Sequence, residues 1–540
     1  MSELLFELVL RSADRSADAP SLSHKNRTLN YGALASQIES FARGLLDLNL
    51  ARADRVAVYL PKQPETVVTM FGAARAGCAF VPVNPLLKPE QVGHILRDCN
   101  ARVLVTSPER SATLATTTAA CPDLRHVVLV AGRDGSPPGA SGADRAPGNS
   151  PAAHPWNALL IDGRPLAGHR VIDTDLVSIF YTSGSTGRPK GVVLSHQNMV
   201  TGAHSVCQYL GNVATDRLLA VLPFSFDYGF SQLSTAFHVG ASVVLMDYLL
   251  AGDVVKEIAK DRITGLAGVP PLWSQLCDLE WPDAARKSLR YFTNSGGAMP
   301  LAVLRKLRAS LPDTQPFLMY GLTEAFRSTY LPPSEVDRRP ESMGKAIPNV
   351  EVLVVRPDGS LCGPNEPGEL VHRGPLVSLG YWNDTQKTGE RFKPVPSQNP
   401  ALPLTEIAVW SGDTVRMDDE GFLYFVGRRD EMIKTSGYRV SPTEIEEILF
   451  ATGLVADVVA VGVSHPTLGQ AIAVVATPAP SAAADTDNLL ETCRRQLPRY
   501  MVPHHIDWRD SIPRNPNGKY DRPRLAAELG GIFGSKGKGA

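Results

Sequence analysis

Short apolar runs alternate with helix-like segments through the first part of the chain, and this alternation most constrains its fold. The apolar runs are 56–60, 79–83 and 103–105, and the segments with helical apolar spacing are 31–48, 64–78 and 89–99. Buried strands separated by helices pair in parallel and place the helices on the faces of the sheet. The pattern therefore predicts an α/β fold with a parallel sheet.

The alternation continues to about residue 320 and then changes character. From residue 350 short strands and turns predict a β subdomain, and after residue 429 the pattern predicts a compact α+β unit. We therefore predict an α/β protein with a large N-terminal domain (1–429) of parallel α/β subdomains plus a β subdomain. A small mobile α+β C-terminal domain (430–526) and a disordered tail (527–540) follow. The Gly- and Pro-rich segment 132–155 is predicted to be an exposed loop.

Composition excludes several classes of protein. A chain of 540 residues is too long for one hydrophobic core, and its net charge of −1 gives no electrostatic case for binding nucleic acid or an anionic membrane. The seven cysteines form no C-x-x-C pair, which favours reduced thiols over zinc or disulfides. The N-terminus reads as an amphipathic helix, and no apolar run approaches the length of a membrane span. We expect a soluble, cytoplasmic protein.

The segment 181–191 has the composition of an anion-binding loop. Its sequence, Tyr-Thr-Ser-Gly-Ser-Thr-Gly-Arg-Pro-Lys-Gly, follows an apolar strand and contains three glycines, four Ser or Thr hydroxyls and two cations. Glycine allows the backbone to approach a phosphate closely, and successive N–H groups in turns form anion-binding concavities. The segment lacks the Gly-Lys-Ser/Thr ending of a Walker-type loop. It predicts a phosphate site of another kind.

Further Gly-rich turns with polar side chains follow other predicted strands. Asn294-Ser295-Gly296-Gly297 and Tyr320-Gly321-Leu322-Thr323-Glu324 each come directly after an apolar run. In open parallel sheets, ligands bind in the crevice beyond the carboxyl ends of the strands. Several such turns in one chain favour a shared nucleotide pocket.

Five segments in order resemble the signature of adenylate-forming enzymes: 181–191, 320–324, Trp410-Ser411-Gly412-Asp413, Gly427-Arg428-Arg429-Asp430 and 513–519. This superfamily includes acyl-CoA synthetases, the adenylation domains of nonribosomal peptide synthetases and firefly luciferase. The resemblance covers nearly the whole chain, and within the superfamily the sequence looks most like the AMP-forming acyl-CoA ligases found with bacterial exosortase systems. It implies an enzyme that joins a carboxylate to the α-phosphate of ATP, releases pyrophosphate and passes the acyl group to a thiol.

The resemblance assigns roles in the first half-reaction. Lys519, a mobile cation, would offset the charge that develops in the transition state, and Thr323 would contact the α-phosphate. Glu324 would bind Mg²⁺, which prefers carboxylate and phosphate oxygens. Asp413 would accept hydrogen bonds from the ribose hydroxyls, and Arg428 would face the ribose or the phosphates. The remaining residues expected to bind ATP are Thr182, Ser183, Gly184, Ser185, Thr186, Gly187, Lys190, Tyr320 and Gly321.

The second half-reaction would use a different orientation of the small domain. Asp430 matches the hinge of the superfamily, about which that domain rotates so that one site serves both reactions. Lys434 and Gly437 then match the loop that lines the thiol tunnel. The thiol would belong to CoA or to the phosphopantetheine of a carrier protein, and the resemblance leaves both open.

The residue most informative about the substrate is Asp227, which follows Phe226. Many simple acyl-CoA ligases have an aromatic residue with a His at this place in the sequence. In amino-acid-activating domains this Asp pairs with the α-ammonium of the substrate. Alternatively, Asp227 caps the helix that follows. The Ser that usually stands two positions later is Gly229 here, which weakens the amino-acid interpretation. The expected walls of the substrate pocket are Phe224, Asp227, Tyr228, Asn294, Ser295 and Gly296.

We therefore predict an ATP-dependent carboxylate ligase that forms an acyl-adenylate and then a thioester with CoA. Within the same class, the alternative is a ligase that loads an acyl or amino-acid group onto a carrier protein. A catalytically silent scaffold protein is the alternative from another class. The silent form is disfavoured, because a protein that only binds has no need for all of the residues expected to act in catalysis. The chain retains the full set: Lys190, Glu324, Asp413, Arg428 and Lys519.

Overall fold

The structure is a computed structural model of the chain. It describes residues 3–130, 151–163, 166, 168–182, 189–396, 398–428, 432–435, 438–465, 468–480, 482–497, 499–516 and 518–533. None of the helices that it describes combines the length and the apolar character needed to span a bilayer. All seven cysteines are free thiols, as their scattered positions predicted.

The first part of the chain alternates strands and helices as the apolar pattern predicted. Pro64 and Pro89 begin their helices, where a missing N–H costs nothing. The elements are α1 (Glu7–Arg15), β1 (Pro20–His24), β2 (Arg27–Asn30), α2 (Tyr31–Asp47), β3 (Arg55–Tyr59), α3 (Pro64–Arg75), β4 (Ala79–Pro82), α4 (Pro89–Asp98), β5 (Ala101–Thr106), α5 (Pro108–Thr113), α6 (Ala115–Ala119), β6 (His126–Leu129) and β7 (Ala152–Pro155).

The middle of the chain repeats the alternation. Its elements are β8 (Leu176–Thr182), β9 (Lys190–Ser195), α7 (His196–Leu210), β10 (Arg217–Ala220), α8 (Asp227–Val239), β11 (Ser242–Leu245), α9 (Ala251–Asp261), β12 (Gly265–Gly268), α10 (Pro270–Leu276), α11 (Asp283–Ser288), β13 (Tyr291–Asn294), α12 (Leu301–Ser310), β14 (Gln315–Tyr320) and β15 (Thr329–Leu331). A short 3-10 turn, Thr323–Ala325, follows β14.

Short strands dominate the remainder, with a few helices. The elements are β16 (Ser342–Ala346), β17 (Glu351–Val355), β18 (Gly368–Arg373), α13 (Thr385–Arg391), β19 (Phe392–Pro394), β20 (Ile407–Met417), β21 (Leu423–Arg428), β22 (Ile433–Thr435), β23 (Tyr438–Val440), α14 (Pro442–Ala451), β24 (Val455–His465), β25 (Gly469–Pro478), α15 (Thr486–Gln496), β26 (His505–Trp508) and α16 (Arg522–Glu528).

The described strands form three sheets. The first has the order β7-β6-β5-β3-β4-β8-β9 and is parallel except for the antiparallel β8–β9 hairpin. The second contains a parallel run, β14-β13-β12-β10-β11-β1, and continues through β15 and β16 into the antiparallel strands of the predicted β subdomain. The third sheet, β23-β22-β25-β24 with β26 beside β25, belongs to the C-terminal part. The predicted α/β class is confirmed.

Helix α8 packs between the first two sheets, and this packing fixes the position of its N-terminus. Phe230 on α8 stacks on Phe80 of β4 with ring centroids 5.3 Å apart, and it meets Phe180 of β8 edge-on at 5.8 Å. All three rings are buried. Such aromatic contacts combine large apolar burial with a fixed ring geometry. They fix α8 against the first sheet, and its first residue, Asp227, follows β10 of the second sheet.

Two boundaries differ from the expectations drawn from sequence. Ala152–Pro155, predicted to be part of an exposed loop, forms β7, which pairs in parallel with β6. Its composition is typical of a loop, and only the neighbouring strand makes it β. Residues 527 and 528, predicted to belong to a disordered tail, are part of α16, and Leu529 is buried. The loop residues 131–150 and the terminal residues 534–540 lie outside the described part of the chain.

Candidate functional site

Three of the polar turns identified in the sequence lie at one edge of the second sheet. Strands β10, β12, β13 and β14 are neighbours and parallel, so their carboxyl ends point the same way. Asp227 follows β10, Asn294 ends β13 and Tyr320 ends β14. The edge thus collects a carboxylate, an amide and a phenol in the crevice where ligands of parallel sheets bind.

Lys519 comes from the C-terminal part of the chain and reaches the same edge. Its Nζ lies 5.5 Å from the ring centroid of Phe226. Gly296 has a φ of +81°, and a Cβ placed on it would lie 3.1 Å from Lys519 Cε, so only glycine suits this position. Asn84 Nδ2 also donates a hydrogen bond of 2.6 Å to the carbonyl of Pro516, beside the lysine turn. The two parts of the chain therefore meet around Lys519.

Asp227 forms a buried ion pair instead of a helix cap. Phe226 occupies the N-cap position of α8, and no side-chain hydrogen bond caps the helix, so the capping alternative is wrong. Arg327 Nη1 lies 3.2 Å from Asp227 Oδ2, and Thr323 Oγ1 donates a hydrogen bond of 3.2 Å to Oδ1. Burial raises the pKa of the Asp227 carboxyl, and the positive charges of Arg327 and Lys519 oppose that shift.

The walls of the predicted substrate pocket are closely packed. Phe224, Tyr228, Asn294 and Ser295 are buried, and the Tyr228 hydroxyl forms a hydrogen bond of 2.5 Å with Thr293 Oγ1. A Cβ on Gly229 would lie 2.1 Å from the carbonyl oxygen of Pro223. The Ser found here in amino-acid-activating domains therefore has no room unless the turn moves.

Glu324 and Lys190 lie on either side of Tyr381. The Tyr381 hydroxyl donates a hydrogen bond of 2.5 Å to Glu324 Oε1, and Lys190 Nζ lies 5.5 Å from the centre of the Tyr381 ring. Burial and the nearby cations Lys387 and Arg391 lower the pKa of the Lys190 ammonium, whereas Glu324 raises it. The cations surround the start of β9, so an anionic ligand would be favoured there.

Asp413 lies on β20 and accepts a hydrogen bond from the Tyr320 hydroxyl at the end of β14. The carboxylate is buried, with 7% of its residue surface exposed. This bond joins the parallel strands of the second sheet to its antiparallel strands. It places Asp413 beside Tyr320 and Gly321, as a common nucleotide pocket requires.

Several predicted site residues lie partly or wholly outside the described part of the chain. Thr182 ends β8 and pairs with Lys190 in the hairpin, but the loop between them is not described. Of Arg428 and Lys434 the structure describes only the backbone, in β21 and β22. The predicted residues that lie outside the described part of the chain are Ser183, Gly184, Ser185, Thr186, Gly187, Asp430 and Gly437.

Sequence reasoning missed the partners of the site residues. Arg327 stands three positions after Glu324 in the sequence, so a cation close to the motif was the available signal. Tyr381, Lys387, Arg391 and Asn84 belong to no motif identified above. Their roles depend on tertiary contacts, which spacing along the chain does not reveal.

The site contains the cation of Lys519, the buried carboxylate of Asp413 and the Glu324 carboxylate beside a cluster of positive charges. A hard carboxylate oxygen near a phosphate site suits Mg²⁺, which commonly takes one or two protein carboxylates and completes its shell with substrate phosphates and water. Glu324 fits that description. The arrangement suits the transfer of a phosphorylated nucleotide group to an acid.

Comparisons with known proteins agree with this chemistry. The model of the AMP-binding enzymes matches residues 9–382, and that of the AMP-binding enzyme C-terminal domain matches residues 444–519. The chain is 30% identical to a long-chain-fatty-acid–CoA ligase of Escherichia coli O157:H7 over 98% of this chain and 96% of that protein. It is also 30% identical to an L-proline–[L-prolyl-carrier protein] ligase of Pseudomonas fluorescens, over 98% of this chain and 100% of the relative.

The fold resembles that of solved enzymes. An anthranilate CoA ligase in complex with anthranoyl-AMP superposes with a TM-score of 0.85 at 22% identity, covering 98% of this chain and 97% of that one. The narrower resemblance to ligases of exosortase systems stays a prediction. From the matched family models and the relatives that cover nearly its whole length, the chain belongs to the AMP-binding enzymes and is an AMP-forming acid–thiol ligase.

Proposed function

We propose that this chain activates a carboxylic acid with ATP and transfers the acyl group to CoA, using one site for both steps. The observation that carries this proposal is the position of Lys519 against Phe226 and Gly296, at the strand ends that also hold Thr323 and Asp227. A cation from the small domain thereby lies where an acid and the α-phosphate of ATP would meet.

In the first half-reaction a carboxylate oxygen attacks the α-phosphorus, and the bond to pyrophosphate breaks. Lys519 would lie between the two anionic reactants and reduce their repulsion as charge develops. Thr323, held by its hydrogen bond to Asp227, would donate to the α-phosphate once that bond exchanges. The products are an acyl-adenylate and pyrophosphate.

The pyrophosphate end of ATP would lie near the β8–β9 hairpin. Lys190 is expected to bind the β- and γ-phosphates together with the predicted loop residues, and Lys387 and Arg391 add positive charge nearby. Glu324, oriented by Tyr381, would hold Mg²⁺. An ion held there would supply positive charge that offsets the negative charge of the leaving pyrophosphate.

The nucleoside end would lie between β14 and β20. Asp413 would accept hydrogen bonds from the ribose hydroxyls, and the Tyr320 hydroxyl orients that carboxylate. Arg428, whose backbone pairs with that of Asp413 between β21 and β20, would bind the same ligand. Charge-assisted hydrogen bonds of this kind are the strong ones in proteins.

In the second half-reaction a thiolate attacks the acyl carbon, a thioester forms and AMP leaves. We propose that the small domain rotates about Asp430, withdraws Lys519 and brings Lys434 and Gly437 to the site. The name of the fatty-acid relative supports CoA as the acceptor, whereas the prolyl-carrier relative supports a carrier protein. The carrier-loading relative is named for an amino acid, whose ammonium group would need Asp227. Because Asp227 already pairs with Arg327, we favour CoA as the acceptor.

Carboxylate-dependent exchange of labelled pyrophosphate into ATP tests the first step over a panel of aliphatic, aromatic and amino acids. The best acid is then offered with CoA and, separately, with a phosphopantetheinylated carrier protein. We expect exchange with at least one acid and thioester formation with CoA. Exchange followed by transfer only to the carrier would contradict the acceptor, and ATP binding without any exchange would favour the silent scaffold protein.

A further inference from the structure

The proposed acyl end of the site contains a buried ion pair. Asp227 and Arg327 retain 4% and 2% of their side-chain exposure, with 3.2 Å between Oδ2 and Nη1. Their opposite charges therefore compensate each other in a place that water hardly reaches. Removing either charge alone would leave the other buried and uncompensated, which is strongly unfavourable.

Neighbouring groups hold both members of the pair in place. Arg327 Nη2 donates a hydrogen bond of 3.0 Å to Ser231 Oγ, and Nη1 donates one of 2.7 Å to the carbonyl of Phe326. The guanidinium lies 4.6 Å from the centre of the Tyr228 ring. Tyr228 is a predicted pocket wall, so the pair belongs to the substrate end of the site.

The backbone before Arg327 is bent to direct this side chain inward. Phe326 has φ +55° and ψ −57°, a conformation that L residues rarely adopt. Its ring packs on α7, where a Cβ added to Gly202 would lie 2.3 Å from Phe326 Cδ1. Non-glycine residues persist in such conformations where the surrounding structure imposes them, and they are concentrated at functional sites.

On the basis of the proposed ligase function, we propose that the Asp227–Arg327 pair selects carboxylic acids whose remaining part carries no charge. An amino acid would need Asp227 for its ammonium group, but that carboxylate already pairs with Arg327. A dicarboxylic acid would need Arg327, but that guanidinium already pairs with Asp227. An uncharged acyl group leaves the pair intact, so the pair discriminates against both charged classes.

Matched sets of acids test this selection in the pyrophosphate exchange assay. One set is butyrate, 2-aminobutyrate and succinate, and another is 3-phenylpropionate and phenylalanine. In the set that supports the faster exchange, the acid without a second charged group should exceed the others in kcat/KM by at least about 100-fold. This factor corresponds to the free energy of breaking a buried ion pair. A wild-type preference for an amino acid or a dicarboxylate would overturn the inference.

Two variants test whether the Asp227–Arg327 pair causes the preference for acids without a second charge. Arg327→Met should raise the ratio of kcat/KM for the amino acid to kcat/KM for the matched acid without a second charge by at least about tenfold. The substitution leaves the Asp227 charge available to the substrate. The double variant Arg327→Met with Asp227→Asn, which leaves no unpaired charge, should restore the preference for the uncharged acid. ATP binding and thermal unfolding confirm that both proteins are folded.

The outcomes separate this inference from the proposed function. An unchanged ratio in a folded, ATP-binding Arg327→Met protein would overturn the role of the pair while leaving the ligase function intact. Absence of exchange with every acid in the wild-type protein would overturn the ligase function and this inference with it.

Discussion

The polar side chains of the site are held by partners that come from distant parts of the chain. Tyr381 orients Glu324, and Tyr320 orients Asp413. A buried polar group that is already hydrogen-bonded needs little rearrangement when a ligand arrives, and preorganised groups contribute most to catalysis. The motifs predicted which residues would face the ligand, whereas the partners that orient them could not be predicted, because each pairing spans many residues of sequence.

His372 gives the fold a pH dependence at the scale of one residue. The imidazole is fully buried in β18, and its Nδ1 lies 2.9 Å from Ser328 Oγ. Burial lowers the pKa of His372 from 6.5 to about 3. Between these values the unfolded chain binds a proton that the folded chain does not, so the free energy of unfolding falls as the pH falls.

We expect His372 to contribute about 2 kcal/mol to the loss of stability between about pH 7.5 and about pH 5. Denaturant unfolding at several pH values measures it. His372→Gln should flatten the dependence by that amount, although the substitution lowers stability at every pH. Replacing the exposed His204 by Gln controls for the loss of an imidazole. If the free energy of unfolding of His372→Gln depended on pH as steeply as that of the wild type, the assignment to His372 would be contradicted.

At the scale of elements, the turn that carries Lys519 is fixed at both ends by one carboxylate. Asp457 on β24 accepts a hydrogen bond of 2.8 Å from Arg514 Nη2 and one of 2.7 Å from the Tyr520 hydroxyl. Within the turn, Asn515 Oδ1 accepts a hydrogen bond from the Lys519 backbone N–H. The position of the lysine therefore depends on a residue that touches no substrate.

Asp457→Ala should slow acid-dependent pyrophosphate exchange by about 10- to 100-fold, because small displacements of a reacting group carry large kinetic penalties. The transfer of a supplied acyl-adenylate to CoA should change far less, since we propose that Lys519 is withdrawn from the site in that step. Asp507→Ala, which removes one of the two carboxylate partners of Arg509 in the same domain, is the matched control. Equal slowing of both steps would indicate a general loss of structure instead of a positioning role.

The elements themselves were largely predictable from the sequence, for a physical reason. Helical and strand periodicity in α2, α3, β3 and β5 reflects which side chains face the core, and that information is local. Strand β7 was missed because its Ala- and Pro-rich sequence has no such period, and only pairing with β6 makes it a strand. Local patterns likewise cannot show that α8 would lie between two sheets.

At the scale of the whole molecule, the structure brings the small domain against the large one with Lys519 at the strand ends. Contacts from Asn84 and Phe226 hold this arrangement on the side of the large domain. It suits the formation of the adenylate, since the lysine lies beside the proposed acyl end of the site. The order of the motifs predicted that Lys519 would act there, but the contact surface came only from the structure.

The most direct test of this account compares the two half-reactions in Lys519→Ala. Acid-dependent pyrophosphate exchange should fall by at least about 100-fold, whereas the conversion of supplied acyl-adenylate to the thioester should stay within about threefold of wild type. Arg524→Ala, which removes an exposed cation of the same domain, should affect neither step. Equal loss of both half-reactions in Lys519→Ala, or unchanged exchange, would contradict the assigned role of the lysine and the two-step site built around it.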